Sequence, residues 1–359
     1  MPQPLLLFAD KLWPSIGGME AHADQFIRHF EKSPSSPLFG LVTCSPEGDV
    51  LRSRNGTVRR FDLSIPELEQ VRVVFHNSGR WIESFGALRR RLPQALHIYR
   101  TGGNEIAQAS LTEPSPESHR DRQAIWAKQI NDNIDLLVTN SAYTESRLRT
   151  QGITCRFLRA AGGVGPAKAR RPPQPGDRLR LFCAARFVGY KNHATLIAVV
   201  KHLLAEGFDV ELRLAGEGPL LDEVKMAASQ PSPAIVFLGK LSNEQVLEEI
   251  GAADYYLQLS KDLTVPVRGG SYVHTEGMGR SILEAIASGV YVIALDTGAL
   301  SEIVTPARGM LLPPDASPSE LSSAIGKIIT QGPHRPPPTD EFAWERVFAA
   351  YQHHWEHAC

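Results

Sequence analysis

Short apolar runs alternate with amphipathic helical stretches along almost the whole chain, and this alternation limits the possible folds more than any other feature. The first half contains the runs LLLFA, LFGLVTC, VRVVF, ALHIY and DLLVT, with helical patterns near 18–31, 80–92 and 141–150. The second half contains LRLFCAA, VELRLAG, AIVFLG, YYLQLS and YVIALD, with helical patterns near 193–206, 218–229, 242–251 and 280–288. Alternating strands and helices build parallel sheets covered on both faces. The sequence therefore predicts an α/β protein with two Rossmann-like domains that face each other across a cleft.

Domain boundaries follow from length and composition. A chain of 359 residues favours two domains. The segment AKARRPPQPGDR, residues 167–178, is proline-rich and charged without an apolar period, so it is interpreted as a linker between domains at 1–166 and 179–335. The last segment, 339–359, carries aromatic residues at helical spacing, and we expect it to pack back toward the N-terminal domain.

Charge and hydropathy exclude several classes of partner. The 38 basic and 39 acidic side chains give a net charge of -1, so no overall field attracts nucleic acid. No apolar run approaches the roughly 20 residues of a membrane span, and LLLF is too short for a signal peptide. Four dispersed cysteines without ligand spacing fit a reducing compartment. We expect a soluble, cytoplasmic protein without a transmembrane segment or nucleic-acid partner.

The segment HTEGMGRSILEAIASG, residues 274–289, places two carboxylates around a glycine-rich helix start. Backbone N–H groups at a helix start bind anions, and glycines allow close approach. Glu276 and Glu284 can accept hydrogen bonds from hydroxyls on either side of that anion. The pattern suits a nucleotide sugar bound by Glu276, Gly277, Met278, Gly279, Arg280 and Glu284. The alternative is that Glu276 only caps the helix and Glu284 is an exposed helix charge.

Two cations follow the first strand of the second half. Arg186 and Lys191, in AARFVGYKN, lie where a parallel strand ends, and they fit a diphosphate whose charge grows as a bond to it breaks. A solvated surface pair is the alternative, which the wholly apolar preceding strand disfavours.

Three weaker signals point to the same ligand. Gly17 and Gly18 permit close backbone approach at a helix start, although a tight turn explains them equally well. Gly216, in GEGP, predicts a tight turn near the ligand. His76 ends a strand, where it could bond a sugar hydroxyl, although a lone histidine is more often structural.

Together these segments resemble the retaining glycosyltransferases of family 4, which have the GT-B fold, over most of the chain. Glu276 and Glu284 are similar to the family's E-x7-E element, and Arg186 and Lys191 to its R-x4-K pair. Further similar segments are the G-x-G-P turn at 216–219, the G-x-x-x-E segment within 297–304, the strand at 309–314, the paired glycines and His76.

The resemblance implies a role for each matched residue. Arg186 and Lys191 would stabilise the departing nucleoside diphosphate, Glu276 would hold donor-sugar hydroxyls, and Glu284 would hold the ribose. His76 would contact the 6-hydroxyl side of the sugar, and the backbone at Lys240 and Leu241 would meet the base. The N-terminal domain would bind the acceptor. A GGVG turn at 162–165 departs from the family's Asn-Gly-Val-Asp. Without an Asp-x-Asp pair, we expect neither a metal nor a cofactor other than the nucleotide sugar.

The resulting hypothesis is a retaining hexosyltransferase, and donor frequency in the family favours UDP-N-acetylglucosamine. The loop 261–275 is longer than usual, and its Arg268, Tyr272 and His274 are candidates for acceptor selection, with a plain surface insertion as the alternative. The segment YVHTEGMGRSILEA is similar to a segment of transferases that glycosylate aminocyclitols in aminoglycoside antibiotic synthesis.

The sequence also allows other acceptors and other activities. A polysaccharide or lipid-linked acceptor is the alternative, and the run Arg89-Arg90-Arg91 is either a membrane-facing helix or a solvated helix end. A GT-B-fold nucleotide-sugar epimerase is the other alternative. The sequence leaves the oligomeric state and the linkage open.

Overall fold

The computed structural model of the chain describes residues 2–10, 12, 18–105, 116–168, 178–228, 234–267, 270–332 and 334–356. It divides into two compact units. The first unit comprises Met1–Gly163, Val265–Tyr272 and Trp344–Cys359, and the second comprises Val164–Thr264 and Val273–Ala343. Most of the predicted linker, 167–178, lies outside the described residues.

The first unit is built on an eight-stranded sheet. Its elements are β1 (Leu5–Phe8), α1 (Gly18–Phe30), β2 (Leu38–Thr43), β3 (Val50–Ser53), β4 (Val58–Arg60), β5 (Val73–His76), α2 (Phe85–Arg91), β6 (Leu96–Arg100), α3 (Pro116–Asn133), β7 (Leu136–Thr139), α4 (Ala142–Thr150) and β8 (Phe157–Arg159). The strand order is β4-β3-β2-β1-β5-β6-β7-β8. All pairs are parallel except β2–β3 and β3–β4.

The chain leaves β1 toward β2 on one side and later returns to β5 on the other side. The strand order therefore reverses between β1 and β5, which is where open α/β sheets bind ligands. The register pairs Phe8 with His76 at the carboxyl ends of these strands. Any site in the first unit is expected beside these ends.

The second unit repeats the architecture with six parallel strands. Its elements are β9 (Leu179–Ala184), α5 (His193–Ala205), β10 (Val210–Ala215), α6 (Leu221–Ala227), β11 (Ile235–Gly239), α7 (Asn243–Ala252), β12 (Tyr255–Gln258), β13 (Leu263–Val267), β14 (Gly270–His274), α8 (Arg280–Ala287), β15 (Tyr291–Leu295), α9 (Leu300–Ile303), β16 (Gly309–Leu312) and α10 (Pro318–Thr330). The sheet order is β11-β10-β9-β12-β15-β16, and β13 and β14 form a separate two-stranded ribbon whose residues 265–272 belong to the first unit.

The predicted α/β class with two Rossmann-like domains is confirmed, because each sheet has helices between its parallel strands. The strands are apolar since both of their faces are covered: Leu5, Leu7, Leu181 and Leu257 are fully buried. None of the helices within the described ranges is long and apolar enough to cross a membrane.

The final helix, α11 (Trp344–Glu356), belongs to the first unit. Its aromatic residues Trp344, Phe348, Tyr351 and Trp355 are all buried. The Phe348 ring lies 5.8 Å from that of Phe26 on α1, and the Trp355 indole donates a hydrogen bond of 3.1 Å to Ser36. Packing against α1 therefore accounts for the aromatic stripe.

Candidate active site

A buried ion pair forms the centre of the candidate site in the second unit. Lys191 ends a 3-10 turn after β9, and Glu276 lies before α8. Their side chains are 11% and 9% exposed, and the ammonium group contacts a carboxylate oxygen directly. Asn192, with φ of 55°, adopts a left-handed conformation between this turn and α5. The structure thus brings together one predicted cation and one predicted carboxylate.

Hydrogen bonds hold the Glu276 carboxylate in place. Besides Lys191, it accepts hydrogen bonds from Gln258 Nε2 at 3.0 Å, Ser260 Oγ at 3.3 Å and the Gly279 amide at 3.1 Å. Burial alone would raise the pKa of Glu276, but the charge of Lys191 and these bonds hold it below its usual value. Burial opposes the charge of Lys191, yet Glu276 raises the Lys191 pKa above its usual value. Both groups are therefore charged at neutral pH, and Glu276 both caps α8 and pairs with the lysine.

Close packing between backbone segments holds the loop that carries Glu276 in place. A Cβ at Gly298 would lie 2.1 Å from the Glu276 carbonyl oxygen, and the φ of Gly298 is 56°. The same carbonyl accepts the Ala299 amide at 3.1 Å. Gly279 has a φ of 69° at the start of α8. Glycine at these two positions lets the loop and the helix start pack closely.

Glu284 lies inside α8 and is only 3% exposed, so it is not the exposed helix charge of the alternative interpretation. It accepts a hydrogen bond from Asn243 Nδ2 at 2.9 Å and pairs with Arg280 at 3.2 Å. Burial raises the pKa of Glu284, and Arg280 and Asn243 offset this only in part. Asn243 is a site residue that the sequence did not reveal, because it lies far from Glu284 along the chain.

Arg186 differs from Lys191 in its surroundings. Its side chain is exposed, and none of the ion pairs between described residues includes it. The two cations are therefore not equivalent in this state: Lys191 is buried and paired, whereas Arg186 is solvated. The Arg186 guanidinium, two residues after the end of β9, is exposed to solvent.

The predicted turn and base segments contact each other. The Gly216 amide donates to the Gly239 carbonyl at 2.8 Å, and Lys240 pairs with Glu217 at 3.0 Å. Lys240 is exposed and Leu241 half-buried. The turn after β10 and the end of β11 thus form one surface beside β9.

We expect Gly216→Ala to lower the free energy of unfolding by about 2–5 kcal/mol. Gly216 has a φ of 141°, and a Cβ there would lie 2.0 Å from the Ala185 carbonyl oxygen. Differential scanning calorimetry of the variant measures the loss. The matched control is Gly207→Ala, since Gly207 has a φ of 89° but no atom within 4 Å of the added Cβ. Equal losses in both variants would contradict a role for close approach at Gly216.

The predicted role of His76 is not supported by its position. The side chain is fully buried, with its ring 4.6 Å from that of Phe8 and 4.5 Å from that of Phe85. Neither ring nitrogen has a hydrogen-bond partner in the described part of the chain. Burial, with a smaller contribution from His97, holds its pKa well below the usual range. His76 is a neutral core residue, because its side chain points into the apolar layer rather than toward the strand end.

Other residues occupy the carboxyl ends of the first unit's strands. Gly18 begins α1, whereas Gly17 lies outside the described residues. Asn77 Nδ2 donates to the Met19 carbonyl at 2.8 Å, and Arg100 ends β6 beside them. Both side chains are buried polar groups that the sequence interpretation passed over.

The candidate acceptor loop reaches the site through His274. Its ring lies 4.1 Å from that of Tyr190, and the Lys191 ammonium lies 5.1 Å from the Tyr190 ring. Tyr272 is half-buried on β14, in the part of the ribbon assigned to the first unit, and Arg268 lies outside the described residues. The structure therefore connects the base of the ribbon to the lysine through the Tyr190 ring.

The basic run on α2 is engaged within the first unit. Arg89 donates to the Asn133 carbonyl at 2.8 Å and pairs with Asp135 at 2.6 Å. Arg91 donates to the Leu63 carbonyl at 2.8 Å. Arg90 is exposed, whereas Arg89 and Arg91 are half-buried and held by these contacts within the unit. No cluster of three His, Cys, Asp or Glu side chains able to hold a metal occurs in the described ranges.

Comparison with known proteins finds similar glycosyltransferases. The family described as "Glycosyl transferases group 1" matches residues 166–338. A GDP-mannose-dependent monoacylated alpha-(1-6)-phosphatidylinositol monomannoside mannosyltransferase of Corynebacterium glutamicum is 29% identical over 60% of this chain. That alignment spans only 56% of the relative. A GDP-mannose-dependent alpha-(1-6)-phosphatidylinositol monomannoside mannosyltransferase of Mycolicibacterium smegmatis is 24% identical over 90% of this chain and 89% of its own length.

Solved structures show the same fold. Anabaena Alr3699/HepE in complex with UDP aligns with a TM-score of 0.67 at 16% identity, covering 99% of this chain and 98% of that one. Sucrose-phosphate synthase from Thermosynechococcus elongatus aligns with a TM-score of 0.61 at 17% identity, covering 99% and 98%. Residues 166–338 are thus similar to the group 1 glycosyltransferases, and the chain has the GT-B fold.

Proposed function

We propose that this chain transfers a hexose from a nucleoside diphosphate sugar to an acceptor hydroxyl with retention at the anomeric carbon. The observation that carries the proposal is the buried Lys191–Glu276 pair at the start of α8. Removing two charges from water is costly, and hydrophobic residues often stabilise a core as well as a buried pair does. The Lys191–Glu276 pair lies beside the start of a helix and near a solvated arginine. Binding of a charged ligand explains the presence of the pair there better than a contribution to stability does.

The chemistry follows from the charges of the second unit. The bond between the anomeric carbon and the diphosphate oxygen breaks, and Lys191, Arg186 and the amides at the start of α8 stabilise the developing negative charge. Lys191 would exchange its contact with Glu276 for the phosphate, leaving Glu276 to accept a sugar hydroxyl. The acceptor oxygen attacks from the same face, and its proton passes to the departing phosphate oxygen. This route needs no nucleophilic carboxylate of the kind that retaining glycosidases place about 5 Å from their acid.

The donor is proposed to be GDP-mannose. Five relatives are named for GDP-mannose, including proteins of Corynebacterium glutamicum and Mycolicibacterium smegmatis. The rival is UDP-N-acetylglucosamine, which the sequence favoured, and a phosphatidylinositol N-acetylglucosaminyltransferase subunit of Schizosaccharomyces pombe is also a relative. A thermal-shift panel of UDP-, GDP-, ADP- and dTDP-sugars tests the choice, because a ligand that binds only the native state raises Tm. A larger rise with the UDP-sugar would overturn it.

The acceptor is proposed to be a hydroxyl of a cyclitol-based molecule. Several relatives are named for phosphatidylinositol mannosides, and the sequence resemblance pointed to aminocyclitols. A transfer assay compares 2-deoxystreptamine, myo-inositol and a mannosylated phosphatidylinositol as acceptors. The product's anomeric configuration, determined by NMR, tests retention. Incubation with donor alone tests the epimerase alternative, which predicts a changed sugar without any acceptor.

The Glu284 carboxyl gives a pH-dependent prediction. Burial raises its pKa above 4.5, and only the ionised form accepts hydrogen bonds freely at both oxygens, since protonation turns one of them into a donor. We therefore expect the Kd of the nucleoside diphosphate to increase as the pH falls through this raised pKa. Isothermal titration calorimetry between pH 7 and pH 4 measures the change. Glu284→Gln should bind more weakly at pH 7 and lose this part of the pH dependence, whereas an unchanged profile would contradict contact with the ribose.

A further inference from the structure

A fully buried glutamine contacts the Lys191–Glu276 pair from the interior of the second unit. Gln258 is the last residue of β12, which lies between β9 and β15 in the sheet, and it is 0% exposed. Its neighbours in sequence, Leu257 and Leu259, are buried in the apolar core of the unit. A buried amide destabilises a fold unless its donor and acceptor groups are hydrogen-bonded. The partners of Gln258 therefore indicate its role.

Polar and apolar side chains alternate along β12. Successive side chains of a strand point to opposite faces, so Tyr256 and Gln258 share a face that Leu257 does not. Ser260 follows at the same spacing, beyond the end of the strand. The Tyr256 hydroxyl donates to Gln258 Oε1 at 3.0 Å, and Gln258 Nε2 donates to Ser260 Oγ at 3.1 Å. One face of β12 thus carries a row of hydrogen-bonded polar groups.

The charge of Glu276 determines the orientation of the Gln258 amide. Gln258 Nε2 donates to Glu276 Oε2 at 3.0 Å. An ionised carboxylate only accepts hydrogen bonds, so the amide must present its NH2 group to Glu276 and not its oxygen. The amide oxygen then faces the hydroxyl groups of Tyr256 and Ser281, at 3.0 and 3.2 Å, which can donate to it. Both ends of the amide are therefore satisfied in one orientation only.

Bonds to the backbone hold these two hydroxyl groups in place. The Tyr256 hydroxyl lies 2.7 Å from Ser281 Oγ and 3.1 Å from the Ala184 carbonyl oxygen. Ser281, in the first turn of α8, donates to the same carbonyl at 2.9 Å. Ala184 ends β9, the strand that precedes Lys191. The network therefore joins β9, β12 and α8, which are the elements that place Lys191 and Glu276.

The proposed transfer step changes the partners of Glu276. In the free protein, Glu276 Oε2 contacts the ammonium group of Lys191. Gln258 Nε2 at 3.0 Å and Ser260 Oγ at 3.3 Å donate to the same oxygen. When Lys191 moves to the diphosphate, only the neutral donors remain on this oxygen, and Gln258 is the nearer. A buried carboxylate that has lost its cation depends on such bonds to stabilise its charge.

We propose that Gln258 is a positioning residue, whose amide holds the Glu276 carboxylate in place for the donor sugar after Lys191 has moved to the diphosphate. The proposal rests on the proposed transferase function, because it concerns the state with bound donor. The alternative is that Gln258 only satisfies the buried hydroxyl groups of Tyr256 and Ser281. That alternative predicts effects on stability and none on the ionisation of Glu276.

A titration of Glu276 in the full chain tests the proposal without donor or acceptor. The glutamate carboxyl groups are labelled with 13C for NMR, and Glu276→Gln identifies the Glu276 signal. Lys191→Met imitates the state in which the lysine has left the carboxylate. We expect the Glu276 pKa in Lys191→Met/Gln258→Met to exceed that in Lys191→Met by about one pH unit or more, because a bond that favours the charged form is lost. Equal pKa values in the two proteins would overturn the proposal.

The other titratable groups around Glu276 do not disturb this measurement. Besides Lys191 they include the Cys183 thiol and the Tyr190 hydroxyl. Burial raises the pKa of Cys183 to about 12 and that of Tyr190 above its usual value, so neither group titrates in acid. On the ribbon, the His274 ring lies 4.1 Å from that of Tyr190. The assigned carboxyl signal separates the titration of Glu276 from that of His274.

In the transfer assay, Gln258→Met is expected to lower kcat by about 10–100-fold. The KM of the donor should rise less, since Arg186 and the start of α8 still bind the diphosphate. The acidic limb of the kcat profile should move to higher pH, because kcat reports the pKa values of the enzyme with bound donor. A merely structural glutamine would lower kcat by the same factor at every pH. An acidic limb that stays in place would therefore contradict the positioning role.

Tyr256→Phe is the matched control. It removes a buried hydrogen bond to the same amide, but on the oxygen side, and Ser281 remains 3.2 Å from that oxygen. We expect this variant to lose stability, to keep most of its kcat and to leave the Glu276 pKa unchanged. A loss of kcat as large as that of Gln258→Met, with an unmoved acidic limb in both variants, would favour the structural alternative.

Gln258→Asn keeps the test decisive if Gln258→Met does not fold. Asparagine retains a buried amide, but its side chain is one CH2 group shorter and cannot reach both Glu276 and the two hydroxyl groups. In the Lys191→Met background it should again raise the Glu276 pKa, and an unchanged pKa would count against the proposal.

The two measurements separate this proposal from the proposed function. An unaltered Glu276 pKa overturns the positioning role of Gln258 whatever the transfer assay shows. A raised pKa without transfer from any donor supports the hold of Gln258 on Glu276 and counts against the transferase function alone.

Discussion

Lys191→Ala is expected to lower kcat by about 10²–10³-fold, with a smaller effect on the Kd of the donor. The ammonium group of Lys191 is buried beside the start of α8, where little water screens its charge. Its attraction for the diphosphate grows as the bond to the sugar breaks, so its loss affects the transition state more than the ground state. Initial rates at saturating donor give kcat, and isothermal titration calorimetry gives Kd.

The control for Lys191→Ala also removes the negative charge of Glu276, which that variant leaves without a counter-ion. In Lys191→Ala alone, the buried Glu276 carboxylate has lost its counter-ion, which can destabilise the second unit. The double variant Lys191→Ala/Glu276→Gln carries neither charge. We expect it to recover stability but not activity. Recovery of kcat in the double variant, or equal losses in kcat and donor affinity in the single one, would contradict a role for Lys191 in the transition state.

Glu276→Gln is expected to lower the free energy of unfolding by about 3–5 kcal/mol at pH 7. The change leaves the buried ammonium of Lys191 without a charged partner, and it replaces one carboxylate oxygen by an NH2 group that cannot accept. Either the hydrogen bonds from Gln258 and Ser260 to one oxygen or the bond from the Gly279 amide to the other is therefore lost. Urea unfolding followed by circular dichroism measures the difference. In the double variant with Lys191→Met most of the loss should disappear, because no buried charge remains.

The difference in stability between Glu276→Gln and the wild type is expected to depend on pH. The folded pKa of Glu276 lies below the ordinary value of 4.5, although burial by itself would raise it, because Lys191 and the hydrogen bonds outweigh burial. Its ionisation therefore contributes stability that is fully present above pH 4.5 and is lost as the pH falls through the folded pKa. Glu276→Gln should lack this contribution, so the difference between variant and wild type should narrow in acid. A constant difference from pH 7 to pH 3 would contradict the pairing.

The sequence predicted the two sheets well because parallel strands are buried on both faces and so form continuous apolar runs. It missed β4, whose residues Val58–Arg60 are all exposed at the sheet edge, and β3 beside it. It also missed α3, which is predominantly polar and gives little helical periodicity of apolar residues. Strands and helices that bury little apolar surface show little periodicity of apolar residues in the sequence. Their positions are determined by the elements they pack against.

The sequence predicted those parts of the candidate site whose chemistry lies within one short segment. The glycine-rich helix start and the cation after β9 are visible in short segments, and the structure places Lys191 and Glu276 in contact. The direction of a side chain at a strand end is not visible: His76 points into the core, and the next residue, Asn77, reaches α1. Asn243 meets Glu284 only through the packing of α7 near α8.

A crystal structure of the chain with a bound nucleoside diphosphate sugar tests the central claim most directly. A phosphate oxygen should lie about 3 Å from the ammonium nitrogen of Lys191, next to the amides at the start of α8, with Glu276 released from Lys191. Diphosphate density away from Lys191, or an intact Lys191–Glu276 contact beside a fully occupied donor, would contradict it.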